Sequence, residues 1–355
     1  MKPKEIFDVS IIGGGPAGLF STFYSGCREM KVKLIEYHSV LGGKLNVYPE
    51  KMVWDVGGMD PAPAHQLVDR LVRQANIFQP KIVLNTKVTS ISKDEEGIFT
   101  VNTQTGEEHY SKAIILAVGG GILEPTRLEI DGAERFEVTN LHYTVKSLAQ
   151  FKGKRILISG GGNSAIDWAN ELESIADKVY LTYRKDLLKG HEAEISKLQK
   201  SSVECLLNTK IERLVAAPDH ETIQQVILSD QNQDEFIRID VDEVIINHGF
   251  ERERELVENS PIPIEMASPR TVAGNSKGET SVAGLFAAGD ILEHDGKLRL
   301  IAGAFTDGAT AVNQAKLFIE PGASNRGIVS THNDRFKEKN KEIFKTAKLD
   351  KLIVK

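Results

Sequence analysis

A chain of 355 residues, 41% hydrophobic and 26% charged, has the composition of a soluble globular protein and is long enough for about two domains. Its formal charge of −6 gives no reason to propose a nucleic acid as partner, and no apolar run approaches the ~20 residues that cross a bilayer. Two cysteines far apart, Cys27 and Cys205, support neither a disulfide framework, nor a Cys-x-x-Cys pair, nor a thiolate metal site. The start, from Met1 to Glu5, carries no signal-peptide core, so a cytoplasmic address is expected.

The first predicted element is the apolar run from Asp8 to Ile12. It ends in Gly13-Gly14-Gly15-Pro16-Ala17-Gly18, and a helix is predicted to follow through Leu19, Phe20, Phe23 and Tyr24. This is the strand, tight turn and helix start of a dinucleotide site. Gly13 permits the turn, Gly15 lets the backbone approach a pyrophosphate, and Gly18 lets helix pack on strand. The free N–H groups of the helix start face the phosphate charge. A second strand, Val32 to Glu36, ends in an acid 18 residues beyond Gly18. That carboxylate can accept bonds from ribose hydroxyls and disfavours a 2′-phosphate, so the first site is expected to hold FAD or NAD rather than NADP.

A glycine- and proline-rich loop follows from Leu41 to Lys51, and residues 62–78 read as a helix with Leu67, Leu71 and Val72 at helical spacing. Short strands are predicted near 82–84 and 88–91, then a hairpin of Phe99–Thr103 with 108–110, then a buried strand over 112–118 that runs into Gly119-Gly120-Gly121. A second nucleotide turn lies further on. The strand Arg155–Ser159 leads into Gly160-Gly161-Gly162-Asn163-Ser164-Ala165, a Gly-x-Gly-x-x-Ala pattern that opens a helix to Leu172. The next strand, 179–183, ends in Arg184-Lys185 where the first unit has its acid. Two cations there can pair with a 2′-phosphate, which points to NADPH. Later strands are expected over 241–247 and 282–290, the second ending in Gly289-Asp290. A helix is expected from about Ala309 to Phe318, stopped by Pro321-Gly322. The polar tail from Asn325 holds eight Lys or Arg against three acids between Arg335 and Lys355.

Taken together, these residues resemble the flavin-dependent pyridine nucleotide-disulfide oxidoreductases of low-molecular-weight thioredoxin reductase type, and within them the ferredoxin/flavodoxin–NADP⁺ reductases. The resemblance runs nearly end to end: Gly13 to Gly18, Glu36, the Leu-Gly-Gly loop, Ala117-Val118-Gly119, Gly160 to Ala165, Arg184-Lys185 followed by Gly190-His191-Glu192, and Ala288-Gly289-Asp290. It implies an α/β protein of two Rossmann-like domains, each with the three-layer ββα arrangement. The FAD domain is expected at 1–118 and 284–355, with a C-terminal extension at 325–355, and the NADPH domain at 119–283. The glycine-rich stretches at 119–121 and 274–278 are the expected hinges.

The same resemblance assigns FAD contacts to Gly13, Gly15, Pro16, Ala17, Gly18, Glu36, Gly43, Lys44, Val88, Leu123, Gly289, Asp290 and Thr331. It stacks Tyr48 on one face of the isoalloxazine and His332 on the other. NADPH falls to Gly160, Gly162, Asn163, Ser164, Ala165, Arg184 and Lys185. Many relatives have His-Arg-Arg where this chain has Tyr183-Arg184-Lys185, which keeps two cations but not two arginines. The thioredoxin reductases carry a Cys-x-x-Cys ahead of the second nucleotide helix. Here Thr144 to Gln150 contains no cysteine, which excludes a dithiol relay.

The expected enzyme therefore takes hydride from NADPH onto a flavin and delivers electrons singly to ferredoxin or flavodoxin, with no metal and no protein acid or nucleophile. A helix beginning near Gly308 is expected to direct its positive end at flavin N1. His191 and Glu192 read as NADPH-domain scaffold or phosphate neighbours, and the cations Arg335, Lys337, Lys339 and Lys341 as a docking patch for an acidic carrier. Homodimerisation is expected by analogy. The competing readings are an oxidase or diaphorase acting on oxygen, quinones or dyes, and a non-enzymatic nucleotide-binding redox sensor.

Overall fold

The computed structural model of the protein describes residues 4–231, 235–252, 255–337, 339–341 and 343. The chain divides at 46/47, 51/52, 122/123 and 252/253 into two compact units, the second made of 47–51 and 123–252.

The first unit opens with β1 (Ile6–Ile12), α1 (Pro16–Cys27) and β2 (Val32–Ile35), followed by α2 (Ala64–Ala75), β3 (Lys81–Val83), β4 (Val88–Lys93), β5 (Phe99–Thr103) and β6 (Glu108–Leu116). The sheet order is β3-β2-β1-β6-β5-β4, parallel from β3 to β6 and antiparallel in the β4–β5–β6 ribbon. Alternation along the strands feeds two cores. Val9, Ile11, Leu34 and Ile115 meet the helices at Leu19, Leu67 and Leu71, while Ile114 and Leu116 meet Ile91, Phe99 and Val101 of the ribbon. The two predicted pieces at 108–110 and 112–118 are one strand of 9 residues. Ser111 at their junction is fully buried and keeps its register with Phe7 and Phe99, so the run does not break.

The second unit contains β7 (Leu141–His142), β8 (Arg155–Ser159), α3 (Asn163–Leu172), β9 (Lys178–Tyr183), α4 (Glu192–Leu198) and β10 (Glu204–Leu207). An antiparallel meander follows, β11 (Thr209–Ala216), β12 (Ile223–Asp230) and β13 (Glu235–Asp240), then β14 (Glu243–Ile246). Its parallel sheet runs β7-β14-β8-β9-β10. The sequence reading contained neither α4 nor the meander, whose last strand buries Ile239 among exposed charged neighbours. The chain returns to the first unit with β15 (Leu285–Ala287), parallel to β6, and α5 (Ile301–Ile319).

Two differences from the sequence reading have clear causes. The stretch 274–278 is a turn inside the first unit, not a connector. Gly278 has φ +76° and is packed so that a Cβ would lie 3.0 Å from the Ala287 carbonyl oxygen and 3.1 Å from Ala311. The last crossing of the chain comes at 252/253 instead. The C-terminal helix begins at Ile301 rather than near Gly308, because Gly308 serves helix packing rather than a helix end. A Cβ on Gly308 would lie 2.8 Å from Ser21 Oγ and 3.1 Å from the Ala17 carbonyl oxygen, so the missing side chain is what lets α5 lie on α1. The positive end of that helix is therefore at Leu300, not at Gly308.

One buried pair in the first sheet makes stability depend on pH. Lys33 Nζ lies 3.1 Å from His109 Nδ1 and 4.2 Å above the Phe7 ring, and the two polar residues are 6% and 3% exposed. Burial, then the Lys33 charge, holds the His109 imidazole below the ordinary histidine range. In the unfolded chain the imidazole takes a proton near 6.5, so below that pH the unfolded state binds more protons than the native one. Stability present above the unfolded value is lost as the pH falls through it. His109→Asn keeps an acceptor for Lys33 and removes the titration. We expect its melting temperature to fall less than the wild type's between about pH 8 and pH 5.5, at roughly 2–4 °C per kcal/mol. Parallel melting curves for the two proteins would refute this.

Candidate nucleotide sites

The first glycine turn is held by neighbours that leave no room for side chains at two of its positions and open space at a third. Gly13 has φ +104°, and a Cβ there would stand 2.5 Å from the Ala117 carbonyl oxygen at the end of β6. A Cβ on Gly18 would stand 1.8 Å from the Gly13 carbonyl oxygen. Gly15 differs, because its nearest neighbour would be Gly43 Cα at 3.8 Å. Gly15 caps α1 with no side-chain bond, Pro16 follows at the helix start, where its missing N–H costs nothing, and no acid stands in the first turn. Unpaired N–H groups at a glycine-walled opening fit a pyrophosphate.

Glu36 stands at the rim of that opening, 6% exposed. Its Oε2 accepts the Gly14 N–H at 2.6 Å and its Oε1 the His38 N–H at 2.8 Å. Each oxygen keeps a further lone pair, so the carboxylate is pinned and still able to accept ribose hydroxyls. The loop after it is fastened to the turn: the Gly42 N–H donates to the Gly14 carbonyl at 2.8 Å, and a Cβ on Gly43 would stand 2.8 Å from Gly15 Cα. Lys44 is exposed in the short helix Gly43–Val47. Val88 points its side chain into the core, which leaves its main chain for any ligand. Leu123 begins a short strand, Leu123–Pro125, and its side chain lies outside the described residues.

The late Gly-Asp lies on the same helix starts. Gly289, at φ +78°, would place a Cβ 2.9 Å from Ala17 Cβ in the first turn of α1 and 3.9 Å from Ala304 in the first turn of α5. Its N–H donates to Asp307 Oδ2 at 3.0 Å. Asp307 also pairs with Lys297, whose side chain is 3% exposed, and lies 3.8 Å from His294 Nε2. This buried pair was not singled out from the sequence. Nothing in the spacing of Lys297 and Asp307 reveals that they fasten the Gly289-Asp290 turn. Asp290 is half-buried beside it.

Thr331 and His332 are not brought to the first glycine turn. Arg28 donates to the Ser324 and Arg326 carbonyls at 2.9 and 3.1 Å, the Ile328 N–H donates to the Tyr24 hydroxyl at 3.0 Å, and Asn333 Nδ2 donates to the Cys27 carbonyl at 3.1 Å. Arg335 donates to the Gly26 carbonyl at 2.6 Å and lies over the Phe78 ring. These anchors hold the tail at the C-terminal end of α1. The glycine turn is at its other end, about 18 Å away for a 12-residue helix.

The second turn repeats the logic of the first. Gly160, at φ +153°, would place a Cβ 2.5 Å from the Asn247 carbonyl oxygen and 3.1 Å from Ala165 Cβ, and Gly161 would place one 2.4 Å from the Tyr183 ring. Gly162 has nothing within 4 Å. It caps α3 without a side-chain bond, again with no acid in the first turn. Asn163 Oδ1 accepts the His191 N–H at 2.9 Å, which gives His191 a structural contact here. Arg184 and Lys185 are both exposed at the end of β9. A third cation, Lys189, is laddered back onto the turn, its N–H donating to the Gly161 carbonyl at 2.7 Å. The signal for it was its place five residues after Arg184.

Tyr48 belongs to the second unit by its contacts. Its hydroxyl is 3.0 Å from Ser164 Oγ and its ring lies 6.2 Å from that of Trp168. Lys51 pairs with Asp167 at 2.9 Å, and Glu50 accepts the Leu148 N–H at 2.6 Å, so the whole segment 47–51 is stapled to α3 and its surroundings. Cys27 is buried and free, its thiol pushed up to about 11 by that burial, and Cys205 is also free.

Two sheets with parallel centres, each leading into a glycine turn and an uncapped helix start, define an α/β protein with two sites of dinucleotide type. The chain belongs to the pyridine nucleotide-disulphide oxidoreductase family, whose model matches residues 7–308. It is similar to ferredoxin–NADP reductase 1 of Bacillus mycoides (strain KBAB4), with 58% identity over 345 residues, 97% of this chain and 99% of that protein. Ferredoxin–NADP reductase 2 of Exiguobacterium sibiricum is 55% identical over 343 residues, 97% of each chain. Among solved structures, Lactococcus lactis thioredoxin reductase in its FR conformation aligns at a TM-score of 0.70 and 25% identity, covering 88% of this chain and 99% of that one.

Proposed function

We propose that the protein is an NADPH-dependent reductase that passes electrons through FAD to ferredoxin or flavodoxin, with FAD in the first unit and NADPH in the second. The observation that carries the reading is the contrast between two otherwise equivalent turns. One faces a pinned carboxylate, Glu36, and the other is followed by Arg184 and Lys185. A carboxylate repels a 2′-phosphate and two cations attract one, so the two sites select different dinucleotides. The near full-length relatives named as ferredoxin–NADP reductases support the same activity.

The chemistry supplied by bound FAD is the acceptance of two electrons as hydride and their release one at a time. The chain's own residues do the holding. Gly15 and the α1 N–H groups take the pyrophosphate of FAD, Glu36 its ribose, and the Gly289-Asp290 turn, fastened by Asp307, the part beyond. Gly162 and the α3 N–H groups take the pyrophosphate of NADPH, and Arg184 and Lys185 its 2′-phosphate. No thiol step enters, since both cysteines are single and their thiols are raised by burial. The stacking of His332 on a flavin and the homodimer are carried by the family resemblance alone.

The test is turnover with NADPH and cytochrome c, with and without added ferredoxin or flavodoxin, alongside oxygen uptake. Strong dependence on the carrier supports the reading, rapid oxygen uptake without it supports an oxidase or diaphorase, and absence of turnover supports a sensor.

The described cations of the tail are not equivalent as a docking patch. Arg335 is committed to Gly26 and Phe78, whereas Lys337 pairs with exposed Asp334 and Lys339 is exposed. Charge reversal at Lys337 and Lys339 is therefore the clean variant. We expect the bimolecular rate with an acidic carrier to fall roughly ten-fold at low salt and the difference to shrink at high salt. Unchanged rates and salt dependence would remove the tail from the docking surface.

A further inference from the structure

The C-terminal ends of three neighbouring strands meet at the second glycine turn, and the imidazole of His248 lies among them. The register of the sheet puts Ser159, the last residue of β8, beside Thr182 of β9 on one side and Ile246 of β14 on the other. Arg184 and His248 each follow two residues beyond those partners, in the two loops that flank the turn. The His248 loop touches the turn directly: the Asn247 carbonyl oxygen is the atom that excludes a Cβ from Gly160. His248 Nε2 is 2.8 Å from Ser159 Oγ, the residue immediately before that glycine. Ligands of open parallel sheets bind outside the carboxyl ends of the strands, which is where this histidine lies.

His248 is exposed as a residue, with its ring nitrogen turned in onto Ser159. Loss of water on that side, followed by the positive charge of Arg184, holds the imidazole below the ordinary histidine range. Arg184, from the end of β9, is the charge that acts on it. Ser159 from β8 and Asn247 on its own loop are uncharged. The neutral ring shares a hydrogen bond with the Ser159 hydroxyl at Nε2, and the tautomer sets which of the two donates.

We propose that His248 is a proton-linked member of the second nucleotide site, taking up a proton when a 2′-phosphate engages Arg184 and so raising selectivity for the phosphorylated nucleotide as the pH falls. The inference rests on the placing of NADPH in the second unit. A phosphate at Arg184 cancels the cation that repels a proton from His248 and adds an anion that attracts one. A group that binds more protons in the complex than in the free protein makes affinity rise with acidity. The second ionisation of the phosphate itself, near pH 6, acts in the opposite direction. It is common to wild type and variant, so a protein without the imidazole isolates it.

The probes are 2′,5′-ADP and 5′-AMP, which differ only in the 2′-phosphate. Each is titrated by calorimetry into the full-length wild type and His248→Gln at about pH 6 and about pH 8, in buffers of differing ionisation enthalpy. The change in the 2′,5′-ADP to 5′-AMP affinity ratio from pH 8 to pH 6 should be at least roughly three-fold more favourable in the wild type than in the variant. Buffer-dependent proton uptake should be larger in the wild type. In histidine-labelled wild type, where no variant has to fold, the NMR titration midpoint of His248 should rise by about one pH unit with 2′,5′-ADP and stay in place with 5′-AMP. Equal proton uptake in both proteins, or an unmoved His248 midpoint under saturating 2′,5′-ADP, overturns the proposal. Failure of the wild type to bind 2′,5′-ADP more tightly than 5′-AMP at either pH overturns the NADPH assignment itself, and the proposal with it.

Discussion

Gly15→Ala is expected to fold normally and to lose FAD. The position has φ −76° and ψ −173°, values any residue adopts, and the added methyl would meet nothing closer than Gly43 Cα at 3.8 Å. The fold gives no reason for glycine there, whereas a pyrophosphate seated on the helix start does. Crowding a filled site costs about 1–3 kcal/mol, so the dissociation constant for FAD should rise roughly 5- to 150-fold. Gly18→Ala is the contrasting variant. Its methyl would fall 1.8 Å from the Gly13 carbonyl oxygen, so α1 must move off β1 and the protein itself should be destabilised. The measurements are melting temperature and flavin absorbance per chain. Full flavin content in Gly15→Ala with wild-type retention would place the pyrophosphate elsewhere.

Arg184→Ala is expected to raise KM for NADPH by roughly ten-fold or more while leaving KM for NADH unchanged, since a charge-assisted bond to phosphate contributes about 1.5–3 kcal/mol and Arg184 is exposed. Lys185→Ala should cost less, because an ammonium makes one directed contact where a guanidinium makes two. The double variant should approach indifference between the two nucleotides. Equal losses with NADH and NADPH would mean that the cations support the fold of the loop rather than read the phosphate.

The glycine turns and their partners were legible because they depend on local spacing. Gly13, Gly15 and Gly18 must stand at fixed offsets after a strand, and Glu36 and Arg184 must end the next one, whatever the rest of the chain does. The start of α5 was not legible, since Gly308 looks like a helix breaker until α1 is laid against it. The turn at 274–278 has the composition of a hinge, and only its packing on Ala287 and Ala311 shows that it is interior to the first unit.

The amino-acid sequence alone determined two dinucleotide turns of opposite electrostatic preference, and the absence of a cysteine pair between them, because each is a matter of residue type at short range. Which side chains meet those turns was decided only by tertiary structure. Asp307 reaches Gly289, His248 reaches Ser159, Tyr48 is tied to Ser164, and the tail is fastened at the far end of α1. Such meetings join residues from 18 to 306 positions apart, and no local pattern encodes a distance that only the packing of sheets and helices creates.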